Sequence, residues 1–240
     1  MAHKNTYKRK EIKYCLTEQQ YRMIMFELGP FIQADKYGKS TVCNLYCDTS
    51  DWELARRSID KPVYKEKLRL RGYDVNSPDD RVFLELKKKW KGIVYKRRFA
   101  CTLRDAMAYL RSGIEPPGAN QVFREIDYTI HHYNLQPKLF LAYDRLAYCG
   151  REDEEFRLTF DFNIRSRTES LSFMDGMDTE LLTGQPFALM EVKAAQAMPR
   201  WFVDILNQNQ LYPASFSKYG QVYQKLILAK KEREKCLKVS

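Results

Sequence analysis

The sequence contains no Cys-x-x-Cys pair. Its six cysteines, Cys15, Cys43, Cys47, Cys101, Cys149 and Cys236, are scattered. That spacing fits neither a disulfide framework nor a zinc site and predicts reduced thiols in a cytoplasmic setting. Cys43 and Cys47 share one face of a strand and are expected to pack as small apolar groups. Histidine is scarce, three in all. His3 lies near the terminus and His131-His132 near a predicted helix end, so structural or solvent-facing roles are expected for them. No run of about 18 apolar residues occurs, so no membrane-spanning helix is expected. Met1 to Lys10 is polar and basic, without the apolar stretch of a secretory leader. Neither a fixed-period repeat nor a low-complexity stretch interrupts the chain. The turn-like segments 76–80, 115–118 and 166–185 do not read as linkers, and one domain over residues 1–240 is expected.

What the chain has in excess is positive charge. Lys and Arg number 41 against 31 Asp and Glu, a net charge of +10 over 240 residues. Hydrophobic residues make up 44 %, enough for a sizeable core in a soluble globular chain. The default partner is therefore an anion: nucleic acid, a membrane surface or a phosphate compound. Composition does not choose among them; the placement of the charges does.

Placement follows a period of two. In 64–73, Lys65, Lys67, Arg69 and Arg71 point one way, and Tyr64, Leu68 and Leu70 the other. In 82–90, Glu85, Lys87 and Lys89 oppose Val82, Leu84, Leu86 and Trp90. In 93–100, Lys96 and Arg98 oppose Ile93, Tyr95 and Phe99. In 156–164, Arg157, Thr159, Asp161 and Asn163 oppose a row of Phe, Leu and Ile. Arg9, Glu11 and Lys13 near the start, and Glu191 and Lys193 near the end, repeat the pattern. Segments 41–47 and 138–148 bring the count to about eight strands, the second placing Tyr143 and Arg145 together. Helices are predicted over 17–29, 102–113, 120–133, 199–211 and 217–231, from Thr and Asn caps, Gly stops and i+4 apolar spacing. The three tryptophans, Trp52, Trp90 and Trp201, are expected to anchor helix–sheet packing, and Lys230 to Lys235 to form a solvated helix tail.

One charged row is ordinary for a sheet with one wet face. Strand after strand of Arg and Lys is not. The opposite rows need helices to cover them, which puts the helices outside and turns the basic rows towards a common interior. An α+β fold is expected: an antiparallel β-barrel closed from about eight strands, its basic interior a tunnel with room for a small ligand. So many cations share an enclosure only with anions present. Arg forks and Lys ammonium groups are suited to phosphate oxygens. Glu11, Glu85 and Glu191 are carboxylates on basic rows. Each can neutralise a neighbouring cation or hold Mg²⁺ or Mn²⁺ beside phosphates. Glu85 leans to the first role and Glu191 to the second.

A series of short motifs runs in order along these strands. They are Arg9-x-Glu11-x-Lys13-Tyr14, Leu45-Tyr46-Cys47-Asp48-Thr49, Leu68-Arg69-Leu70-Arg71-x-Tyr73, Leu84-Glu85-Leu86-Lys87 and Lys96-Arg97-Arg98. Tyr143-Asp144-Arg145, Phe156-Arg157-Leu158-Thr159-Phe160-Asp161, Met190-Glu191-Val192-Lys193 and Phe216-Ser217-Lys218-Tyr219 complete it. The series resembles the VTC domain, the polyphosphate polymerase domain of the vacuolar transporter chaperone complex, within the triphosphate tunnel metalloenzymes. The resemblance implies transfer of the γ-phosphate of ATP onto a growing polyphosphate chain, with Mn²⁺ or Mg²⁺. It implies that Lys13, Arg69, Arg71, Lys87, Lys96, Arg98, Arg145, Arg157 and Lys218 hold phosphates. Tyr143, Ser217 and Lys193 would stand at the nucleotide. Glu191 would bind the metal, with Glu85 and Glu11 as further candidates. ATP, polyphosphate and pyrophosphate are the implied ligands, and duplex nucleic acid is not expected. Arg9 replaces the first Glu of the Glu-x-Glu-x-Lys strand of the related hydrolases and cyclases, which argues against a typical triphosphatase. A tunnel hydrolase and a non-catalytic polyphosphate or nucleic-acid binder stand as alternatives.

Overall fold

Rows that alternate between apolar and charged make strands because one face finds a core while the other keeps its charges solvated or paired. The computed structural model describes residues 10–60, 62–91, 93–176, 179–195 and 197–239. His3 and Arg9 lie outside the described residues, as do the side chains of the basic tail and of Cys236. The elements are β1 (Lys10–Leu16), α1 (Glu18–Leu28), β2 (Ile32–Asp48), α2 (Glu53–Asp60), β3 (Tyr64–Tyr73), β4 (Arg81–Trp90) and β5 (Ile93–Thr102). Then follow α3 (Leu103–Ser112), α4 (Gln121–Tyr133), β6 (Gln136–Gly150), β7 (Arg157–Arg167), β8 (Glu180–Leu181), β9 (Ala188–Ala194), α5 (Arg200–Gln208) and α6 (Lys218–Val239).

Every expected strand and helix forms, and the predicted caps do their work. Thr17 and Gln20 close a capping box on α1, and Thr102 and Asn120 accept from the first turns of α3 and α4. Three pieces were not foreseen, each for a physical reason. The first arm of β2 pairs with β6 through Ile32–Ala34, then shifts register before Lys39, so its alternation is broken. The first amides of helix α2 are met from upstream: the Thr49 hydroxyl accepts from Glu53, and the buried carboxylate of Asp48 from Leu54 and Ala55. Strand β8 is two residues long, too short to show a period.

The strands form one antiparallel sheet in the order β1-β9-β7-β6-β2-β3-β4-β5, with β8 beside β7. Among the described residues β1 and β5 do not pair, so the expected barrel is not closed by ladder hydrogen bonds. The edge of β1 is occupied instead by the segment entering α6, where the Ala214 amide donates to the Lys13 carbonyl at 2.7 Å. The sheet nevertheless curls far enough to bring Lys87 of β4 within 3.9 Å of Glu11 of β1.

Helices α3 and α4 cover the outer face of β2–β5, with Leu68, Leu84, Phe99, Phe123 and Ile126 in that core. Helices α1 and α5 cover β1, β9 and β7 through Ile24, Phe160, Met190 and Phe202. Helix α6 departs from the expectation that all helices sit outside. Tyr219, Val222 and Tyr223 pack on Val42, Tyr46, Leu141 and Tyr143, residues of the inner face. The inner rows of β2 and β6 are apolar and aromatic there, and α6 is what covers them. Trp52 joins this third core, and Trp201 packs on Phe156 as foreseen. Trp90 does not anchor packing; it is exposed. The five described cysteines are free thiols, and burial pushes Cys43 up to about 11 and Cys47 to about 12. No helix among the described residues is long and apolar enough to cross a membrane.

Candidate functional site, a basic pocket on the concave face

Register places the charged residues in rungs across the inner face. On β3, β4 and β5, Arg69 stands opposite Glu85 and Glu85 opposite Arg98; the next rung is Lys67, Lys87 and Lys96. On β1, β9 and β7, one rung is Lys13, Glu191 and Thr159, and its neighbour is Glu11, Lys193 and Arg157. Arg145 of β6 faces Asp161 of β7. The first turn of α6 delivers Ser217 and Lys218 into the same space.

Two carboxylate hubs organise these cations. Glu85, 1 % exposed, lies 2.7 Å from Arg69, 2.6 Å from Lys96 and 2.5 Å from Arg98, with Arg71 at 3.9 Å. Although burial pushes its carboxyl up, Arg69, Arg71, Lys96 and Arg98 hold it well below the usual carboxylate range. At the second hub Glu191 is 3.2 Å from Lys13, 3.2 Å from Lys218 and 3.7 Å from Arg145. Burial opposes its ionisation too, and Lys218, Lys13 and Arg145 overcome it. Asp161 ties Arg145 at 2.6 Å to Lys218 at 2.6 Å. Tyr143 joins the hubs: its hydroxyl accepts from Arg71 at 3.1 Å, and Lys218 lies 4.5 Å above its ring. Lys67 donates to Ser217 at 3.1 Å. All fifteen side chains singled out from the sequence thus lie on this one face, joined by ion pairs, hydrogen bonds or direct strand register.

The pocket is short of negative charge. Burial pushes Lys67 down to about 8, and Lys87, Lys13 and Lys65 add to the fall. Burial likewise takes Lys96 down to about 7 despite Glu85. Burial also lowers Lys193. Tyr46 shows the converse: burial would raise its phenol, but Arg69, Lys67 and Arg71 draw it down to about 8. Two buried polar atoms, Arg157 Nε and Thr159 Oγ1, have no hydrogen-bond partner. Such atoms are costly unless something fills the site. An anion with several acceptor oxygens satisfies the donors and restores the lysines at once.

A measurable proton linkage follows. An anion stabilises protonated Lys96 and Lys67 and neutral Tyr46, so binding raises all three from about 7, about 8 and about 8. Tripolyphosphate binding is therefore expected to take up protons above pH 7 and to weaken as pH rises towards the ordinary lysine value of 10.5. The unliganded protein gains stability over the same window, because its unfolded chain holds more protons there. Titration calorimetry in buffers of different ionisation enthalpy checks the uptake; zero uptake at pH 8 would contradict it.

The donor set bears on a metal. Among the described residues no three His, Cys, Asp or Glu side chains converge into an all-protein cage. Glu11 and Glu191 lie on paired strands, and Lys13 is 4.0 Å from the first and 3.2 Å from the second. Two oxygen ligands beside a phosphate site fit Mg²⁺ or Mn²⁺ completed by phosphate and water oxygens. Glu85 accepts hydrogen bonds on both oxygens, from Arg69 and Arg98, and fits a neutralising role; among the described residues Glu191 Oε2 has only Arg145, at 3.7 Å.

Several residues of the pocket were not singled out from the sequence. Lys67 and Asp161 sit on rows already recognised, two residues from Arg69 and four from Arg157. Asn44, which accepts from Arg71 at 2.8 Å, lies on no charged row, and Tyr46, which accepts from Arg69 at 3.2 Å, appeared only as part of a family-like motif without a role. Their strand is buried on both faces, so no alternation marks which side is the site.

A crystal structure of a proposed adenylate cyclase from Bacillus halodurans superposes with a TM-score of 0.55 at 15 % identity, covering 89 % of this chain and 95 % of that one. It shows a shared fold. The vacuolar transporter chaperone complex subunit 4 of Trypanosoma brucei brucei is 27 % identical over 75 % of this chain. This chain spans 28 % of that relative's length. The description of one family, VTC domain, matches residues 8–227, which takes in every strand and both carboxylate hubs. With that match spanning nearly the whole chain, the chain belongs to the VTC domain family.

Proposed function

We propose that this chain is a metal-dependent phosphotransferase that moves the γ-phosphate of ATP onto a growing polyphosphate chain. The observation that carries the reading is the crowding of Lys13, Lys67, Arg69, Lys87, Lys96, Arg98, Arg145, Arg157, Lys193 and Lys218 on one face around only a few carboxylates, with Arg157 Nε and Thr159 Oγ1 left without a partner there. Phosphoryl transfer asks little covalent chemistry of a protein; positioning and charge neutralisation lower the barrier. Arg69, Arg71, Arg98 and Lys96, aimed by Glu85, hold one stretch of phosphates. Arg145 and Lys218, fixed by Asp161, with Lys13, Arg157 and Lys193, hold another. Lys67 and Lys87 lie between them. Bound Mg²⁺ or Mn²⁺, with Glu191 and Glu11 as its protein ligands, would supply Lewis-acid neutralisation of the phosphates. Tyr143 and Ser217 stand where a nucleotide's phosphates would meet Arg71 and Lys67. Duplex nucleic acid is a poor fit, since the cations line a concave face crossed by α6.

The test is direct. Incubated with ATP and Mn²⁺ or Mg²⁺, the protein is expected to release ADP and build an acid-labile phosphate polymer seen on polyacrylamide gels. Phosphate release from tripolyphosphate without polymer would assign the hydrolase reading; binding of polyphosphate with neither reaction would leave only a binder.

A further inference from the structure

Away from the concave face, the start of β3 and the β4–β5 turn form one exposed surface. Val63 is 64 % exposed, Trp90 47 %, Tyr64 39 % and Tyr95 39 %. Register sets Tyr64 beside Trp90, and the Lys91 amide donates to the Val63 carbonyl at 3.0 Å, which ties the strand entry to the turn. Trp90, Tyr64 and Tyr95 continue the outer rows of the core, four residues beyond buried Leu86, Leu68 and Phe99, and are left exposed. Exposed Lys91 holds its ammonium 5.0 Å above the Trp90 ring, and exposed Lys89 flanks Trp90 at the tip from the opposite face of the strand, at the end of the row that carries Glu85 and Lys87. The carboxylate in the adjoining row, Glu66, is buried and paired with Lys88 at 3.3 Å.

Lysines on an edge hairpin commonly prevent strand-to-strand association. That accounts for Lys89 and Lys91 but not for exposed Trp and Val beside them, which would promote association. A free phosphate or a nucleic-acid backbone would use the cations and leave the apolar groups wet. The boundary of an anionic bilayer uses both. Trp90 and Tyr95 offer apolar rings at headgroup depth with a polar handle, Tyr64 adds ring surface while its hydroxyl donates inward to Glu66, and each nearby lysine gains from the negative surface potential.

We propose that this hairpin tip is a peripheral contact for an anionic membrane surface, with Trp90, Tyr64, Tyr95 and Val63 entering the headgroup region and Lys89 and Lys91 meeting the lipid charges. It does not depend on the reaction run in the pocket. The full chain is expected to sediment with vesicles of phosphatidylcholine and phosphatidylserine and to stay in solution with phosphatidylcholine alone. Trp90→Ser combined with Lys91→Glu, both outside the pocket, is expected to weaken that partition about tenfold or more, while tripolyphosphate binding is unchanged. Addition of tripolyphosphate at saturation is expected to leave vesicle binding intact. The proposal is overturned if the wild-type chain ignores the anionic vesicles, or if the double variant binds them as well as wild type. It falls equally if tripolyphosphate alone displaces the protein, since the pocket would then be what binds lipid phosphate.

Discussion

Glu191→Gln is expected to lower ATP-dependent polymer formation by about 10³-fold or more while tripolyphosphate still binds, as tightly as before or tighter. The substitution keeps the shape of the side chain and removes one negative charge from among Lys13, Lys218 and Arg145. On the proposed metal role, loss of that charge would deprive a divalent cation of its buried carboxylate ligand. It also leaves the three cations free to attract an anion more strongly, so affinity and turnover move in opposite directions. A residue with a purely structural role would lower both. Parallel measurement of steady-state rates and of tripolyphosphate affinity separates the cases, and unchanged turnover would remove the metal role from Glu191.

Glu85→Gln is expected to act on stability first. Four cations surround this carboxylate, and breaking a buried pair by removing one partner costs about 3–5 kcal/mol. For a chain of this size that lowers the melting midpoint by about 10 °C. Tripolyphosphate should recover much of the loss, because bound phosphate oxygens replace the missing carboxylate among Arg69, Arg98 and Lys96; at about 100 times Kd, binding alone adds about 2.7 kcal/mol. The pH dependence carries the same sign test. The native carboxyl of Glu85 is held below its ordinary value of 4.5, so its contribution is complete above that pH and is lost as pH falls below it. Wild type should therefore lose stability below pH 4.5 more steeply than Glu85→Gln. Equal acid limbs in thermal melts, or a melting midpoint untouched by the substitution, would show that the hub is not what holds the cations.

The sequence by itself determined the strands, the inward basic rows and the family. Period-two alternation with Arg and Lys on one row is a local property, since side chains two apart share a face whatever the sheet then does. Residues on half-buried strands were legible for that reason, and the rows from Lys65 to Arg71 and from Glu85 to Lys89 needed no coordinates. Where a strand is buried on both faces the alternation disappears, so Asn44 went unseen and Tyr46 was quoted in a motif without a role.

Only the tertiary structure decided how the rows meet. Which cation pairs with Glu85 and which with Glu191 depends on register between strands far apart in sequence, and Lys218 is 57 residues from Asp161. That α6 lies inside the curl, that the entry to α6 takes the edge of β1, and that Asp48 caps α2 from upstream are contacts at a distance, which no local period encodes. The fate of Trp90 has the same cause. Its place on an apolar row is written locally, but whether a helix reaches far enough to cover it is settled by packing alone.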